Sequence, residues 1–454
     1  MHSIANILVC SFLCLLFALD ARDAASAECK DPNGCSEAEQ LEKLAQALTG
    51  YREAVVLGEL GEAEILAKRA VELSIVVNGH GSFDTANALT NLAFVQYSQE
   101  QYEPARLNLR AAIRTIQEAG DNLSVELIRP LHRLGQTELQ LGEIDSATAS
   151  FQRAVHISHV HSGPQNTGQI ESLEAIAGIY FESDNIEDAR DIQRRILAYR
   201  ARADGTESEE SLPALQHYAN WMHKLRLYNR ERNAYLEMLE IQEEHHGQNY
   251  PGLIPTLIRL AFSLHDNSLS LLDDNNAHGM RSPKHYLSRA MKIAENQSDW
   301  GLFAETALTV GDYYTMAQRF GRARSAYKDA WQQLSIAPPG LAKRSEEMES
   351  PKLLAVPRLP EYYEDQDPLY EPDVTDDFLR GTMVAEFDVT RTGESVRIKL
   401  IESQPPGLAK IERRLVRSLR SMMHRPRMQD GETIETQQLT YVYEFSYLEG
   451  DNQE

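Results

Sequence analysis

The residues of this 454-residue chain that come nearest to a metal site are three histidines, His156, His159 and His161. Imidazole nitrogens bind zinc well, but they must converge on one point. Spacings of three and two residues keep the three rings together only if the helix that carries them has ended. A solvated helix end, with cations near the negative end of the helix dipole, is the interpretation we favour, here and at His245-His246.

No other catalytic signature is present in the sequence. It lacks the metalloprotease pattern His-Glu-x-x-His, the hydrolase pattern Gly-x-Ser-x-Gly, a phosphate-binding loop and a dinucleotide-binding fingerprint. We therefore predict a protein that is not an enzyme, with no catalytic residues, no metal and no cofactor. A metal-dependent enzyme is the alternative, and a stoichiometric metal in the purified protein would support it.

Residues 1–27 have the pattern of a secretory signal peptide. Residues 4–19 are almost continuously apolar, and the small-x-small sequence at 25–27 precedes Glu28. The first three residues carry no Lys or Arg, which leaves an uncleaved anchor as the alternative. Because the apolar stretch is shorter than the roughly twenty residues of a spanning helix, we expect cleavage after Ala27.

The exported chain would keep two cysteines, Cys29 and Cys35, in an N-terminal segment of residues 28–40. The sequence Pro-Asn-Gly at 32–34 favours a turn between them. An even, closely spaced pair in an exported chain predicts a disulfide, worth roughly 2 kcal/mol on the chain-entropy model. A redox-active pair is the alternative, although no Cys-x-x-Cys spacing surrounds it.

A repeat of 42 residues predicts the helices that would carry the binding residues. A small residue recurs at this spacing, and a second small or apolar residue follows seven positions later. The pairs are Ala63/Ala70, Ala105/Ala112, Ala147/Ala154 and Ala189/Ile196, and the pattern continues at Glu231/Met238. After an insertion of about ten residues it resumes at Leu287/Ala290, and it ends at Ala323/Ala330. Two helical patterns in each period indicate an all-α solenoid of about seven helical hairpins over residues 41–336. An irregular helical bundle is the alternative.

The third unit, with Gly135, Gly142, Ala147, Phe151 and Ala154, resembles the tetratricopeptide (TPR) repeat. The long period is similar to the kinesin-light-chain type of TPR. This resemblance implies a concave groove lined by the first helix of each hairpin.

The groove positions of the family fall on polar and aromatic residues of this chain. They are Asn87, Asn91, Phe94 and Tyr97, then Arg129, His132, Arg133 and Gln136, and finally Asn220, His223, Lys224, Arg259 and Phe262. Amides can pair the backbone of an extended peptide, and cations can pair its carboxylates. We therefore predict a protein or peptide partner, with a merely solvated inner face as the alternative.

The charge of the chain narrows the class of partner. With 45 Lys and Arg against 68 Asp and Glu, the formal net charge is −23. Nucleic acid and anionic membrane surfaces attract basic proteins, so we expect no nucleic-acid partner. Contact with a membrane is expected only through partners or an uncleaved signal.

An acidic, proline-rich linker is predicted after the solenoid, at residues 337–377. Between Ser345 and Asp377 eleven acidic residues face two basic ones, a net charge of −9. Such a segment is self-repelling and semi-extended rather than packed.

Strand patterns follow the predicted linker. Two alternating runs around a Thr-Gly-Glu turn at 392–394 predict a β-hairpin, residues 408–423 predict an amphipathic helix, and residues 437–447 predict a last strand. The outer face of the helix carries Lys410, Arg413, Arg414, Arg417 and Arg420, followed by Arg425 and Arg427. We expect these cations to be solvated; contact with the acidic linker of the same chain, or with an anionic envelope component, is the alternative.

The ββαβ order, with the segment 425–432 and Tyr443-Glu444-Phe445, resembles the TonB C-terminal domain. We predict such a domain at residues 378–448 and a short tail at 449–454; another small ββαβ domain is the alternative. The resemblance implies strand addition along the last strand, at the edge that carries Leu439, Tyr441, Tyr443 and Phe445. A TonB-dependent or other outer-membrane protein is then a possible partner.

Together these patterns predict a periplasmic adaptor in which the solenoid binds one partner and the TonB-like domain another. The alternative is a component of a TonB-type energy-transduction system with a retained N-terminal anchor. The mature N-terminus discriminates between them, since Glu28 favours the first and Met1 the second.

Overall fold

The computed structural model describes residues 37–205, 208–269, 281–336, 338–355 and 379–447. The predicted signal peptide, Cys29 and Cys35, the middle of the predicted linker and the C-terminal tail lie outside these residues. The chain divides into two compact units, Met1–Ala203 and Asp204–Glu454.

The first unit consists of four helical hairpins. They pair α1 (Glu37–Leu57) with α2 (Leu60–Asn78), α3 (Phe83–Ser98) with α4 (Tyr102–Ala119), α5 (Ile128–Gln140) with α6 (Ile144–Ser162), and α7 (Ile170–Glu182) with α8 (Ile186–Asp204). Their second helices begin at positions 60, 102, 144 and 186, so the predicted period of 42 residues is that of the observed helices.

The second unit begins with three further hairpins. They pair α9 (Leu212–Lys224) with α10 (Tyr228–His246), α11 (Leu253–Leu269) with α12 (Pro283–Glu295), and α13 (Trp300–Met316) with α14 (Phe320–Leu334). In the described residues the seven predicted hairpins are therefore present. The period is interrupted in the sixth, because α12 begins 55 positions after α10 (283 − 228) rather than 42.

Small residues allow the two helices of a hairpin to cross closely. Ala105, Ala147 and Ala189 are fully buried. In the third hairpin the buried Phe151 ring lies over Gly135, where a Cβ atom would be only 2.7 Å from the ring. The regular spacing of small residues is therefore a packing requirement of each crossing.

The turn within each hairpin is also periodic. A residue with positive φ occurs at positions 58, 100, 142, 184 and 226, and it is glycine only at 58 and 142. The next residue donates its backbone N–H to the carbonyl five positions earlier, as in Gln101 to Gln96 at 2.8 Å and Asn185 to Tyr180 at 2.8 Å. This is the Schellman pattern that ends a helix through a left-handed residue.

The predicted linker begins instead with packed structure. Helix α15 (Pro338–Met348) follows the last hairpin, and strand β1 (Lys352–Ala355) comes next. The prediction of an extended segment was wrong for these residues, because proline is tolerated in the first turn of a helix as well as after its end. Met348 is fully buried, and the Arg344 guanidinium lies 4.2 Å from the centre of the Trp331 ring.

A three-stranded antiparallel sheet forms the C-terminal module. Its order is β3 (Ser395–Gln404), β2 (Leu379–Val389), β7 (Thr436–Tyr447), and helix α16 (Ala409–Ser421) packs on one face. Inward residues of β2, among them Met383 and Phe387, meet Leu415 and Leu419 of the helix. The long strands and the helix follow the predicted ββαβ order.

Besides β1, three further short strands were not predicted. They are β4 (Met423–Arg425), which pairs with β1, and β5 (Met428–Gln429), which pairs with β6 (Glu432–Thr433). Strand β1 thereby joins the segment after the solenoid to the segment after α16.

Candidate peptide-binding surfaces

Predicted groove residues of the second and third hairpins meet in the first unit. Arg129 of α5 donates to the Oδ1 atom of Asn91 on α3, and the Arg133 guanidinium lies 4.7 Å from the centre of the Phe94 ring. Arg133 also donates to Gln136 Oε1 at 3.1 Å. We call these five residues the Arg129/Arg133 patch. It presents two cations, two amides and one ring on neighbouring first helices.

A tyrosine of the first hairpin borders the patch. The Tyr51 hydroxyl donates to the Asn91 carbonyl at 3.5 Å. Burial raises the pKa of Tyr51, while the nearby positive charges of Arg129 and Arg133 oppose that rise. Both guanidinium charges of the patch therefore act on the Tyr51 hydroxyl.

The other two groove residues predicted in the second hairpin, Asn87 and Tyr97, lie on α3. Asn87 is exposed and Tyr97 is half-buried.

The prediction that His132 faces the groove was wrong. Its side chain is buried, with Nδ1 3.0 Å from Ser172 Oγ and Nε2 3.0 Å from a Glu171 carboxylate oxygen. The ring also packs against Phe151. Burial lowers the pKa of His132; Glu171 opposes this and Arg133 adds to it. His132 thus links two hairpins rather than offering a ligand contact.

The next first helix changes the character of the surface. The positions 42 residues after Arg129 and Gln136 are Glu171, which is 73% exposed, and Gly178, where a Cβ atom would meet nothing within 4 Å. A cationic region is therefore followed by an acidic residue and an open space. An extended ligand with its own charge pattern would have one preferred direction on such a surface.

The groove residues predicted in the second unit do not form one equivalent patch. Gln216 donates to Asn220 Oδ1 at 2.9 Å and to the Tyr235 hydroxyl at 3.0 Å. Burial raises the pKa of Tyr235, and the charge of Arg259 opposes the rise, which places that cation near the hydroxyl. Phe262 makes an edge contact with Tyr313 at 5.3 Å.

The other two predicted residues contact their own hairpin. His223 Nδ1 is 3.1 Å from the carboxylate of Glu231, a buried residue at the position where five other hairpins have alanine. The Lys224 ammonium lies 4.9 Å from the centre of the Trp221 ring. His223 therefore contacts a buried acid at the crossing, which weakens its assignment to a groove.

Strand β7 lies at an edge of the sheet, next to β2 alone. The predicted edge residues Tyr443 and Phe445 are buried against α16, and Leu439 and Tyr441 are partly buried there. The opposite face of the strand exposes Val442, with 56% of its surface accessible. A peptide that adds to this edge would therefore be bound through the backbone, since these four side chains face inward.

An ion network joins the last hairpin to the C-terminal module. Its Arg425–Glu347 contact is of the kind expected as the alternative, between the basic segment and the acidic linker, whereas its Asp312 contact was not predicted. Arg425 donates from Nε and Nη2 to Asp312 at 2.8 and 2.6 Å, and from Nη1 to Glu347 at 2.6 Å. Asp312 also accepts from the Tyr327 hydroxyl at 3.0 Å, and Lys352 pairs with Glu347 at 2.9 Å. Arg425 is buried, so its assignment to the solvated basic face was wrong.

The contacts of the network favour the charged forms of Arg425 and Glu347. Burial disfavours the positive charge of Arg425, but its contacts with Asp312 and Glu347 outweigh burial and raise its pKa. The pKa of Glu347 is lowered, because its contacts with Lys352 and Arg425 outweigh its own burial. Such a network fixes the orientation of the last hairpin relative to the C-terminal module.

The described residues contain no group of three or more His, Cys, Asp and Glu side chains arranged to hold a metal ion. Among the same residues, no helix is both long and apolar enough to span a membrane.

No family model matches the chain, and no curated protein matches it. Similar solved structures are TPR-like repeat proteins. A kinesin light chain repeat protein of Podosopora anserina is 14% identical over 46% of this chain and 97% of its own, with a TM-score of 0.39. Aspartyl phosphate phosphatase F of Bacillus subtilis is 16% identical over 71% and 75%, with a TM-score of 0.39.

A tetratricopeptide repeat protein of Parabacteroides merdae is 16% identical over 66% of this chain and 97% of its own, with a TM-score of 0.34. All these TM-scores lie below 0.5. The assignment of helical hairpins therefore rests on the chain's own periodic packing and turns.

Proposed function

We propose that this protein is an exported, non-enzymatic adaptor of a bacterial envelope that binds proteins through two surfaces. The observation that carries the proposal is the Arg129/Arg133 patch, where residues of two neighbouring first helices converge. Its guanidinium groups suit carboxylates, its amides suit a peptide backbone, and the Phe94 ring suits an apolar side chain. The preferred partner is an extended peptide that carries Asp or Glu.

The second surface is the edge of β7, in a domain that we propose to be TonB-like. The ββαβ order of the three long strands and the helix supports this assignment. The edge offers backbone N–H and C=O groups to a partner strand, for which a TonB-dependent or other outer-membrane protein is the candidate. The Arg425 network supports a fixed presentation of this edge relative to the last hairpin.

Peptide selection on the purified chain tests the first surface. We expect selected peptides to be enriched in Asp and Glu and to bind in a fluorescence anisotropy assay. The Arg129→Glu/Arg133→Glu variant should weaken this binding at least tenfold. The Arg413→Glu/Arg417→Glu variant, which makes the same charge change on exposed positions of α16, should leave it within twofold. Equal losses in both variants would refute a specific site.

Export to the periplasm is the part of the proposal that rests on the sequence of residues 1–27. Mass spectrometry of the protein isolated from its native envelope measures the N-terminal residue. Glu28 is the expected result, and the same sample should show Cys29 and Cys35 joined. A chain that retains Met1 would instead favour an anchored component of an energy-transduction system.

A further inference from the structure

A cavity of 880 Å³ lies in the second unit, apart from the predicted groove residues. It is lined by the second helices of the fifth and sixth hairpins, α10 and α12, whereas the groove residues lie on first helices. A volume of this size is in the range of about 300–1,000 Å³ typical of small-molecule sites.

One wall of the cavity is cationic in an acidic protein. Arg281, Lys284, Arg289 and Lys292 line it, and the facing helix contributes one acid, Glu243. Arg289 and Lys292 are three residues apart and share one face of α12, and Lys284 lies about two turns before Lys292. The lining therefore carries four positive charges against one negative charge, although the whole chain has a net charge of −23.

Within the part of the chain that the structure describes, most of this positive charge has no acidic partner. Arg289 pairs with Glu243 and donates to the Gln248 carbonyl at 2.8 Å. Among the described residues, Lys284 and Lys292 have no carboxylate within ion-pair distance. Burial lowers the pKa of His285, and the nearby charges of Arg281 and Arg289 lower it further. The positive charges of Arg281 and Arg289 therefore disfavour a further positive charge on His285.

The cations are grouped at two levels along the helix. Lys284 lies in the first turn of α12 with Arg281 just before it, and Lys292 lies eight residues further on, about 12 Å along the axis. Pro283 has no backbone N–H, and the His285 N–H donates to the Ser282 carbonyl at 2.8 Å, so the first level consists of the Arg281 and Lys284 side chains. The positive end of the helix dipole adds to the first level.

We propose that this cavity binds a small molecule that carries two phosphate groups. One phosphate would lie between Arg281, Lys284 and the start of α12, and the other beside Lys292 and Arg289. Leu236 and Leu239 on the facing helix give the body of the ligand an apolar contact. The site is independent of the proposed peptide-binding surfaces.

Calorimetric titration of the full chain with fructose 1,6-bisphosphate tests the proposal, with fructose 6-phosphate as the one-phosphate control. We expect saturable binding of the bisphosphate, at least fivefold tighter than the monophosphate. The Lys284→Glu/Lys292→Glu variant should weaken it at least tenfold, and the milder Lys284→Gln/Lys292→Gln variant at least threefold. The Arg413→Glu/Arg417→Glu variant should bind like the parent.

Three results would overturn the proposal. They are the absence of saturable binding, an equal loss in the α16 control variant, and equal affinity for the two sugar phosphates. A parallel sedimentation assay with phosphatidylglycerol vesicles distinguishes a lipid source of phosphate. Vesicle binding that requires Lys284 and Lys292, without bisphosphate binding, would assign the cavity to a membrane surface and contradict a small-molecule site.

Discussion

Arg425 and Asp312 are 113 positions apart in the sequence, yet their side chains form a two-hydrogen-bond ion pair. Arg425 belongs to strand β4, and Asp312 lies on the first helix of the last hairpin. Glu347, on the helix between them, accepts a third hydrogen bond from the same guanidinium. The end of the solenoid and the C-terminal module are therefore one electrostatic unit rather than two independently solvated parts.

Removal of Arg425 should destabilise the second unit strongly. In Arg425→Met, Asp312 and Glu347 keep their charges without their main partner, and we expect a loss of about 3–5 kcal/mol in the free energy of unfolding. Urea denaturation followed by circular dichroism measures it. Arg413→Met, at an exposed position of α16, should change stability by less than about 0.5 kcal/mol.

The triple variant Asp312→Asn/Glu347→Gln/Arg425→Met separates the cost of unpaired charges from the cost of lost contacts. It should recover part of the loss, because no uncompensated buried charge remains. If Arg425→Met unfolds like the parent, the network does not hold the module to the last hairpin.

Ala147→Leu should loosen the crossing of the third hairpin. Ala147 is fully buried between the helices, so added methylene groups must separate them at a cost of about 1–3 kcal/mol. Ala149 lies two positions later on the same helix and is exposed. Ala149→Leu is therefore a matched control that should melt within a degree or two of the parent. Equal melting of both variants would show that the repeat register is wrong.

The left-handed residues between paired helices predict opposite effects of glycine and alanine. Glu100 and Asp184 have φ values of 62° and 55°, a conformation that costs a residue with a Cβ atom about 1–2 kcal/mol. Because glycine also gains entropy in the unfolded chain, Glu100→Gly and Asp184→Gly should each stabilise the first unit by only about 0.5 kcal/mol.

Gly142 occupies the equivalent turn of the third hairpin, with no atom near its missing Cβ. Gly142→Ala should therefore lose about 1 kcal/mol from backbone strain alone. Thermal unfolding of the three variants checks the prediction. A stabilised Gly142→Ala would contradict it.

The buried His132 should make the stability of the first unit depend on pH. Its folded pKa lies below the unfolded value near 6.5, so the unfolded chain binds a proton first as the pH falls. The contribution of neutral His132 is thus present above pH 6.5 and decreases as the pH falls below it. Carboxylates whose pKa is lowered, such as Glu347, act only at more acidic pH.

Comparison with His132→Gln isolates this effect from other titrating groups. The difference in urea midpoint between pH 7.5 and pH 5.5 should be smaller in the variant than in the parent. Identical pH dependence of the two proteins would mean that His132 is accessible to solvent and titrates normally.

The sequence predicted those features that recur or alternate. Ala105 and Ala147 mark helix crossings because only small residues fit there, and alternation in residues 383–389 follows the pleat of β2. Both patterns are local, so the hairpins and the long strands could be predicted.

Features that depend on distant partners could not be predicted in the same way. Arg425 resembles the exposed arginines that precede it, and only the fold brings it to Asp312. His132 lies at the boundary between the buried and open faces of α5, next to Arg133. Its position in the repeat therefore does not determine whether its side chain is buried or faces the groove. The prolines at 338 and 339 are compatible with either the end or the start of a helix, and the packing of Met348 decides between them.

The regular turns have a consequence for how this chain can change in length. Positions 58, 100, 142 and 184 share one backbone conformation, so the segments between them begin and end in equivalent turns. An insertion or deletion of 42 residues within this region would rejoin equivalent turns and leave every remaining crossing in register. A shorter insertion does not end in an equivalent turn. The second unit accommodates an insertion of this kind before α12, where the period is interrupted. The reach of the first unit is therefore adjustable in steps of one hairpin, while its turn chemistry stays constant.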